Sequence, residues 1–328
     1  MGVNFSNVRE RVYMRILYLP NAKNQQRQLE KPNNLIYPVR LAMEAEWHYK
    51  NGDIVDWGYS EDDGSWDKVI EKEEGLPFLS LPHPDRVWTD AKNPEYQKNG
   101  NFKYHPATYI MSASGCWHGK CSFCVEKDKP YEVRPVEDVI SELEEIKSQG
   151  YKEVFDDSAS FPTGAWLGRF LDKFSGGIVL GCNMRMVDID YARMASKGFR
   201  MLLFGLESAN QTTLDKINKG VQIEKGIEVI KKAAKAGLEP HVAVMFGYPW
   251  ETVADAERTL KTVHWLLRKG YARTAQASFY CPPGGGADES HRRYVKRIYN
   301  AAFHPQFWWV RRDEDISYLW KGIKSWLG

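Results

Sequence analysis

The chain has 328 residues, 43% hydrophobic and 27% charged, with 45 Lys and Arg against 43 Asp and Glu for a net charge of +2. That length accommodates two ordinary domains or one large α/β domain with an appendage, and so small a charge gives no whole-molecule field for drawing in a polyanionic partner. No apolar run reaches the length of a membrane span, and the Met1-Gly-Val-Asn-Phe-Ser6 start lacks the apolar core of a secretion signal, so a cytoplasmic protein with no membrane partner is expected.

Taken in order, residues 14–57 read as strand, helix, strand: Arg15-Ile-Leu-Tyr-Leu19, a helix opened by Tyr37-Pro38 and running to about Lys50, then Asp53-Ile-Val-Asp-Trp57 after the stop at Asn51-Gly52. This is a half-built Rossmann-like unit, assigned to residues 1–58. An acidic Gly/Ser/Asp stretch over 59–75 reads as a loop or linker, and residues 76–105, rich in Pro, Asn and aromatics, read as an extended wrap. Together they make a linker segment over 59–107.

Thr108-Tyr-Ile-Met111 is a short strand feeding Ser114-Gly-Cys-Trp-His-Gly-Lys-Cys-Ser-Phe-Cys124, where three of the five cysteines fall within nine residues. Clustered thiols hold metal. Three are one short of a closed zinc site, and no further Cys or His stands nearby at ligand spacing. Iron–sulfur clusters take four ligands, so a triplet leaves one iron open to something other than protein. The two isolated cysteines, Cys182 and Cys281, do not make up a disulfide framework, and a reducing compartment suits the set.

Pro135 opens a helix whose Val136, Val139, Ile140, Leu143 and Ile146 recur at helical spacing until Gly150. Five more strands follow, Glu153–Phe155, Gly177–Gly181, Arg200–Phe204, His241–Phe246 and Thr274–Tyr280, each separated from the next by a helical pattern. Such alternation means a parallel sheet with right-handed crossovers. Six units suit a partial (β/α)6 TIM-like barrel over 108–287, whose chemistry gathers at the C-terminal strand ends. Those ends carry the cysteine loop, Asp156-Asp157, Cys182-Asn183-Met184-Arg185, Gly205-Leu-Glu-Ser208, Gly247-Tyr-Pro249 and Tyr280-Cys281-Pro-Pro-Gly284.

Residues 288–328 have a basic, aromatic texture: His291-Arg-Arg-Tyr-Val-Lys-Arg297, Phe307-Trp-Trp-Val-Arg-Arg312, and a last helix with Ile316, Leu319, Trp320, Ile323 and Leu327 on one face. Basic and aromatic residues interleaved in this way read either as a nucleic-acid surface or, favoured here, as a helical extension docked on the barrel with snorkelling basic rims.

With the triplet placed after the first barrel strand, the chain resembles the radical S-adenosylmethionine (SAM) superfamily over roughly residues 77–310. The resemblance implies a [4Fe-4S] cluster ligated by Cys116, Cys121 and Cys124, with SAM on the fourth iron and Phe123 beside its adenine. Family spacing is C-x3-C-x2-C and this chain reads C-x4-C-x2-C, with Gly119 available to absorb the additional residue. Leu81-Pro-His-Pro-Asp-Arg86, Glu153-Val-Phe-Asp-Asp157, Phe204-Gly-Leu-Glu-Ser208 with Lys219-Gly220, and Phe246-Gly-Tyr-Pro-Trp-Glu-Thr252 are similar to segments of the cobalamin-binding branch. The Asp-x-His-x-x-Gly motif of that branch, whose His ligates cobalt, occurs nowhere in the chain. Cobalamin bound in the usual way is therefore not expected. The further cysteines of methylthiotransferases and of auxiliary-cluster enzymes are also missing.

The resemblance implies reductive cleavage of SAM by the reduced, oxygen-sensitive cluster. The 5′-deoxyadenosyl radical then takes hydrogen from an organic substrate, with the protein positioning SAM and excluding water. The electron would come from a flavodoxin or ferredoxin. Asp156, Asp157, Glu207 and Gly247 are the implied SAM contacts. Asp156 and Asp157 otherwise form a solvated turn, whereas a carboxylate at Glu207, ending an apolar strand, needs a donor. Arg185 either pairs with the SAM carboxylate or lies on the surface of the following helix. Tyr280 and Cys281 are candidate hydrogen-atom donors, although an isolated Cys is more often a small buried hydrophobe. His118 reads as packed or exposed, and His241 as a satisfied core histidine. The substrate remains open, a nucleotide or nucleic acid included. Cobalamin-assisted methyl transfer is the alternative within enzymes, and a nucleic-acid-binding module with a structural metal is the alternative outside them.

Overall fold

In the computed structural model residues 15–18, 37–57, 68–70, 73–98, 100–282 and 285–302 are described. The chain divides into two units, one comprising Met1–Trp117 with Lys129–Asn183, the other His118–Asp128 with Met184–Gly328.

In the first unit, β1 (Arg15–Tyr18) leads to α1 (Val39–Lys50) and β2 (Ile54–Trp57). The half-built unit is one strand larger than expected. β3 (Lys68–Ile70) lies inside the presumed linker and pairs parallel with β1, giving the order β2-β1-β3. Three residues are too few to show a period. α1 buries Leu41, Ala42, Met43 and Ala45, and with them Glu44. Glu44 accepts the Glu74 N–H at 2.8 Å, and burial lifts its carboxyl to about 7.

The barrel portion of this unit starts with a 3-10 turn (Phe78–Ser80), the short α2 (Pro94–Gln97) and β4 (Ala107–Ile110). Next come the two-residue antiparallel pair β5 (Ala113–Ser114) and β6 (Glu132–Val133). After α3 (Val136–Ser148), β7 (Glu153–Asp156) pairs parallel with β4, and beyond α4 (Gly164–Lys173), β8 (Val179–Met184) pairs parallel with β7. All four residues of β4 and of β7 are buried, as parallel strands covered on both faces must be. Pro135 is the N-cap of α3 rather than its first residue, and β8 begins two residues later and ends three later than its expected span.

The apolar stripe Val136, Val139, Leu143 and Ile146 faces inward, each side chain stabilising the unit by roughly 1.5–3 kcal/mol. Glu142 shares that face. Its oxygens meet Arg86 Nη2 and Arg134 Nη1, each at 2.5 Å. Arg86 also donates to Tyr109 O and Arg134 to Met111 O, so the two guanidiniums fasten α3 to the end of β4. The 81–86 segment is thus anchored in the core by Arg86.

In the second unit, α5 (Tyr191–Ser196) precedes β9 (Phe199–Glu207). There follow α6 (Gln211–Lys216), α7 (Ile223–Lys235), β10 (Glu239–Phe246), α8 (Val253–Arg268), β11 (Thr274–Phe279), a 3-10 turn (Glu289–His291) and α9 (Arg292–Ala302). β9 and β11 flank β10 in parallel. α8 opens on a capping box between Thr252 and Asp255. α9 packs on β11 and α8, with Tyr294 stacked on Phe246 at 5.5 Å. The docked reading of the tail therefore holds over 292–302, while Phe307-Trp-Trp-Val and the helix expected from Ile316 lie outside the described residues. The fold is α/β with parallel strands, and each of the six barrel strands is followed by a helix. No described helix is long and apolar enough to cross a membrane.

Burial alone would raise the Glu142 carboxyl, but Arg86 and Arg134 outweigh it and hold the group below its ordinary 4.5. Its stabilisation is present above 4.5 and is lost as pH falls through the lower folded value. Glu142→Ala leaves the buried Arg86 without its carboxylate and Arg134 with Asp138 alone. It is expected to cost about 3–5 kcal/mol at neutral pH, read as a lower urea midpoint, and the loss should shrink in acid.

Candidate functional site

In the first unit, Gly115 leads from β5 into the cysteine loop at φ 73°, and a Cβ there would stand 2.2 Å from Pro130 O. The half-exposed Cys116 follows. At the end of β7 the two aspartates differ. Asp156 is buried and accepts from Ser112 N at 3.0 Å, Ser112 Oγ and Ser158 N at 2.9 Å, so its lone pairs are taken by its own chain. Asp157 is half-buried, and burial followed by the charge of Asp156 raises its carboxyl to about 7 despite a hydrogen bond from Asn183. Cys182 lies inside β8 rather than after it. Burial and Asp156 push its thiol well up, which makes it an inert core sulfur.

In the second unit, Cys121 is buried and Cys124 half-exposed, and Glu126 N donates to Cys124 Sγ at 3.4 Å. Arg185 is no surface residue. At 8% exposure it reaches Cys121 Sγ at 3.9 Å with Nη1 and Lys219 O at 2.5 Å with Nη2. Lys219 is buried, pairs with Glu207 at 2.7 Å and stands 5.9 Å over the Phe123 ring. His118 Nε2 donates to Asn218 O at 2.7 Å. Burial first, and Arg185, Lys219 and Lys120 after it, lower the His118 pKa, so the imidazole sits neutral among cations.

Glu207 is placed by backbone strain. Its φ is 64°, and the β9–β10 register slips between Ala243 and Val244, opposite Gly205 and Glu207. Such a bulge re-aims the side chain that follows it. The carboxylate folds back over Gly205, where a Cβ would stand 2.2 Å from Glu207 Oε1 and 2.8 Å from Lys219 Nζ.

Gly247 ends β10 at φ 89°, its N–H on Glu251 Oε2 at 2.8 Å. Burial lifts the Glu251 carboxyl to about 7, and His291 approaches it at 3.3 Å. Tyr280 is buried against Tyr248, ring centres 4.8 Å apart, and the Tyr248 hydroxyl donates to Glu207 O at 3.4 Å. Cys281 is exposed, bonded to Gly285 O at 2.8 Å. His241 donates or accepts at Thr274 Oγ1, and burial lowers its pKa to about 4.

Arg185, Glu207, Phe123, Cys121 and Cys124 are therefore gathered in one unit, while Cys116, Asp156 and Asp157 belong to the other. Lys219 was named in the sequence only within a family-like segment, and neither it nor Glu251 was given a role at the site. The available signal was a Lys-Gly pair shortly after a strand-ending Glu, and an acid four residues after a strand-ending Gly. Among the described residues no group of three or more His, Cys, Asp and Glu meets at metal-ligating distance. The donor set nonetheless fits an iron–sulfur cluster. None of the three is in a disulfide, and a guanidinium and a backbone N–H face two of the sulfurs.

Residues 110–263 match the model of the Radical SAM superfamily. An uncharacterised methyltransferase of Pyrococcus horikoshii is 28% identical over 176 residues, 48% of this chain and 36% of that protein. A Methanocaldococcus jannaschii protein named as a methylthiotransferase is 30% identical over 170 residues, 45% of this chain and 36% of that protein. The match thus spans little more than a third of either relative. Among solved structures, the radical SAM methyltransferase TsrM from Kitasatospora setae, with cobalamin and a [4Fe-4S] cluster bound, is similar at 19% identity. That likeness covers 64% of this chain and 37% of TsrM, with a TM-score of 0.49. The cobalamin-dependent radical enzyme OxsB is similar at 14% identity over 90% of this chain and 43% of OxsB, also with a TM-score of 0.49.

Asp157 titrates from an ordinary 3.8 to about 7 on folding, so its contribution to stability is full below 3.8 and is lost as pH rises through about 7. Asp157→Asn is expected to flatten the fall in melting temperature between those values. Melts in a pH series that superimpose for variant and wild type would discard this assignment.

Proposed function

The chain carries a domain of the radical SAM superfamily at residues 110–263, and we propose that it reductively cleaves SAM at a single [4Fe-4S] cluster to take hydrogen from an organic substrate. Family membership makes it an enzyme of the radical SAM class and implies both the cluster and SAM. The observation that carries the finer reading is Arg185 on the sulfur of Cys121, with the Lys219–Glu207 pair beside Phe123. When bound, the cluster and SAM supply one-electron cleavage of a sulfonium and hydrogen-atom abstraction.

The chain's own residues divide the remaining work. Cys116, Cys121 and Cys124 would hold the cluster, three thiols for four irons, with SAM as the remaining ligand. Arg185 lowers the cost of thiolate charge at Cys121. Glu207, already committed to Lys219, offers its remaining lone pairs to a hydroxyl or ammonium donor, and Asp157 is the acid of its pair with unfilled capacity. Gly247, at φ 89°, gives the turn after β10 a backbone that a side chain would strain, and Asp288 O packs where a Cβ would stand. The aromatic floor of Tyr248 and Tyr280 excludes water. Reducing power comes from a flavodoxin or ferredoxin.

A second reading, methyl transfer, rests on the transferase names of the two curated relatives. The reduced enzyme incubated anaerobically with SAM is expected to release 5′-deoxyadenosine. S-adenosylhomocysteine in its place would replace hydrogen abstraction by methyl transfer. Reconstituted wild type should hold about four irons and four sulfides per chain, and Cys116→Ala, Cys121→Ala or Cys124→Ala should each abolish 5′-deoxyadenosine formation. Zinc as the sole metal would point to a structural module instead.

A further inference from the structure

Between Cys116 and Cys121 lie four residues, Trp117-His118-Gly119-Lys120, one more than the family spacing. Such an insertion slackens the loop unless something takes it up. In the second unit the loop is tied to the 217–220 turn at two points. His118 Nε2 donates to Asn218 O at 2.7 Å, and Ser122 N donates to Ile217 O at 3.0 Å. Cys121 lies between the two ties and Phe123 directly after the second.

The receiving turn is shaped for this. Asn218 and Gly220 both have left-handed backbone, at φ 55° and 66°. Three successive carbonyls are thereby put to separate use: Ile217 O for Ser122, Asn218 O for His118, and Lys219 O for Arg185, which also reaches Cys121 Sγ. Gly220 is the seat of the imidazole. A Cβ at that position would stand 2.7 Å from His118 Cε1, closer than such contacts occur, so a side chain there displaces the ring whatever its backbone angle.

We propose that His118 is a positioning residue: seated on Gly220 and bonded to Asn218 O, it takes up the additional loop residue and sets Cys121 and Phe123 for the cluster and SAM. This rests on the reading of the loop as the cluster site. Ser122 alone fixes only the far end of the segment. At its near end the loop is also closed on itself, by Asp128 N on Gly119 O at 3.0 Å, and it is His118 that reaches from there to the 217–220 turn through a hydrogen bond.

The test uses the full chain reconstituted anaerobically, as wild type, His118→Ala, His118→Gln and Gly220→Ala. Iron and sulfide content, the electron paramagnetic resonance spectrum of the reduced cluster with and without SAM, and KM and kcat for 5′-deoxyadenosine formation are measured on each. His118→Ala should keep its iron, change the SAM-dependent spectrum and raise KM for SAM about five-fold, the worth of one hydrogen bond, with kcat little changed. His118→Gln, whose amide also donates, should restore most of the loss, and Gly220→Ala should reproduce it. A wild-type spectrum and KM in both His118→Ala and Gly220→Ala would overturn the proposal. If His118→Ala loses iron, recovery in His118→Gln upholds it and failure to recover overturns it. A wild type that binds zinc and no iron would instead remove the proposed function, and this inference with it.

Discussion

A carboxylate drawn out of water at a strand end must be answered by a charge or by hydrogen-bond donors, and the answer of Lys219 to Glu207 organises the second unit around the cysteine loop. The bulge at the end of β9 turns the carboxylate back over Gly205, the one residue type that leaves room for it. Holding Lys219 in place holds its backbone, and that backbone belongs to the 217–220 turn. From this turn the carbonyls reach His118, Ser122 and Arg185. A slip in strand register is thus felt at the sulfur of Cys121 through a short chain of polar contacts, each demanded by the burial of the one before it.

The first unit meets the same demand in two ways. Glu142 is answered by two guanidiniums and stays ionised, and its worth lies in tying α3, the 81–86 segment and the end of β4 into one body. Asp156 is answered by hydroxyl and amide donors alone, and burial still raises its pKa. Its neighbour Asp157, raised by burial and then by the charge of Asp156, titrates at about 7. Two adjacent identical residues therefore do different work. One is a buried brace, the other a group with capacity to spare.

Alternation of strand and helix was legible because apolar periodicity survives across whole elements, and the thiol triplet because three cysteines in nine residues are rare without metal. β3 and the β5–β6 pair were not legible, since two or three residues carry no period. The true reach of β8 and β9 was hidden for a related reason. Parallel strands are bounded by where pairing stops rather than by a change in polarity, so Cys182 and Glu207 proved to be strand residues. Arg185 was undecidable because its partners are a sulfur and a backbone carbonyl, neither of which has a sequence signature. The left-handed backbone of Glu207 could not be foreseen at all, since any residue but glycine argues against it.

The closure of the cysteine loop at its base has one more consequence. Gly115 fits under Pro130 with no space for a side chain, and β5 and β6 clamp the two ends of the loop together. Lengthening a loop that is closed at its base by one residue costs little in closure entropy. Over evolutionary time the distance between the first two cysteines can differ by a residue while the fold stays still, wherever a contact such as that of His118 with Asn218 takes up the difference. A pattern written as C-x3-C-x2-C passes over this chain, and relatives with other spacings can be expected wherever the base glycine and the hairpin persist.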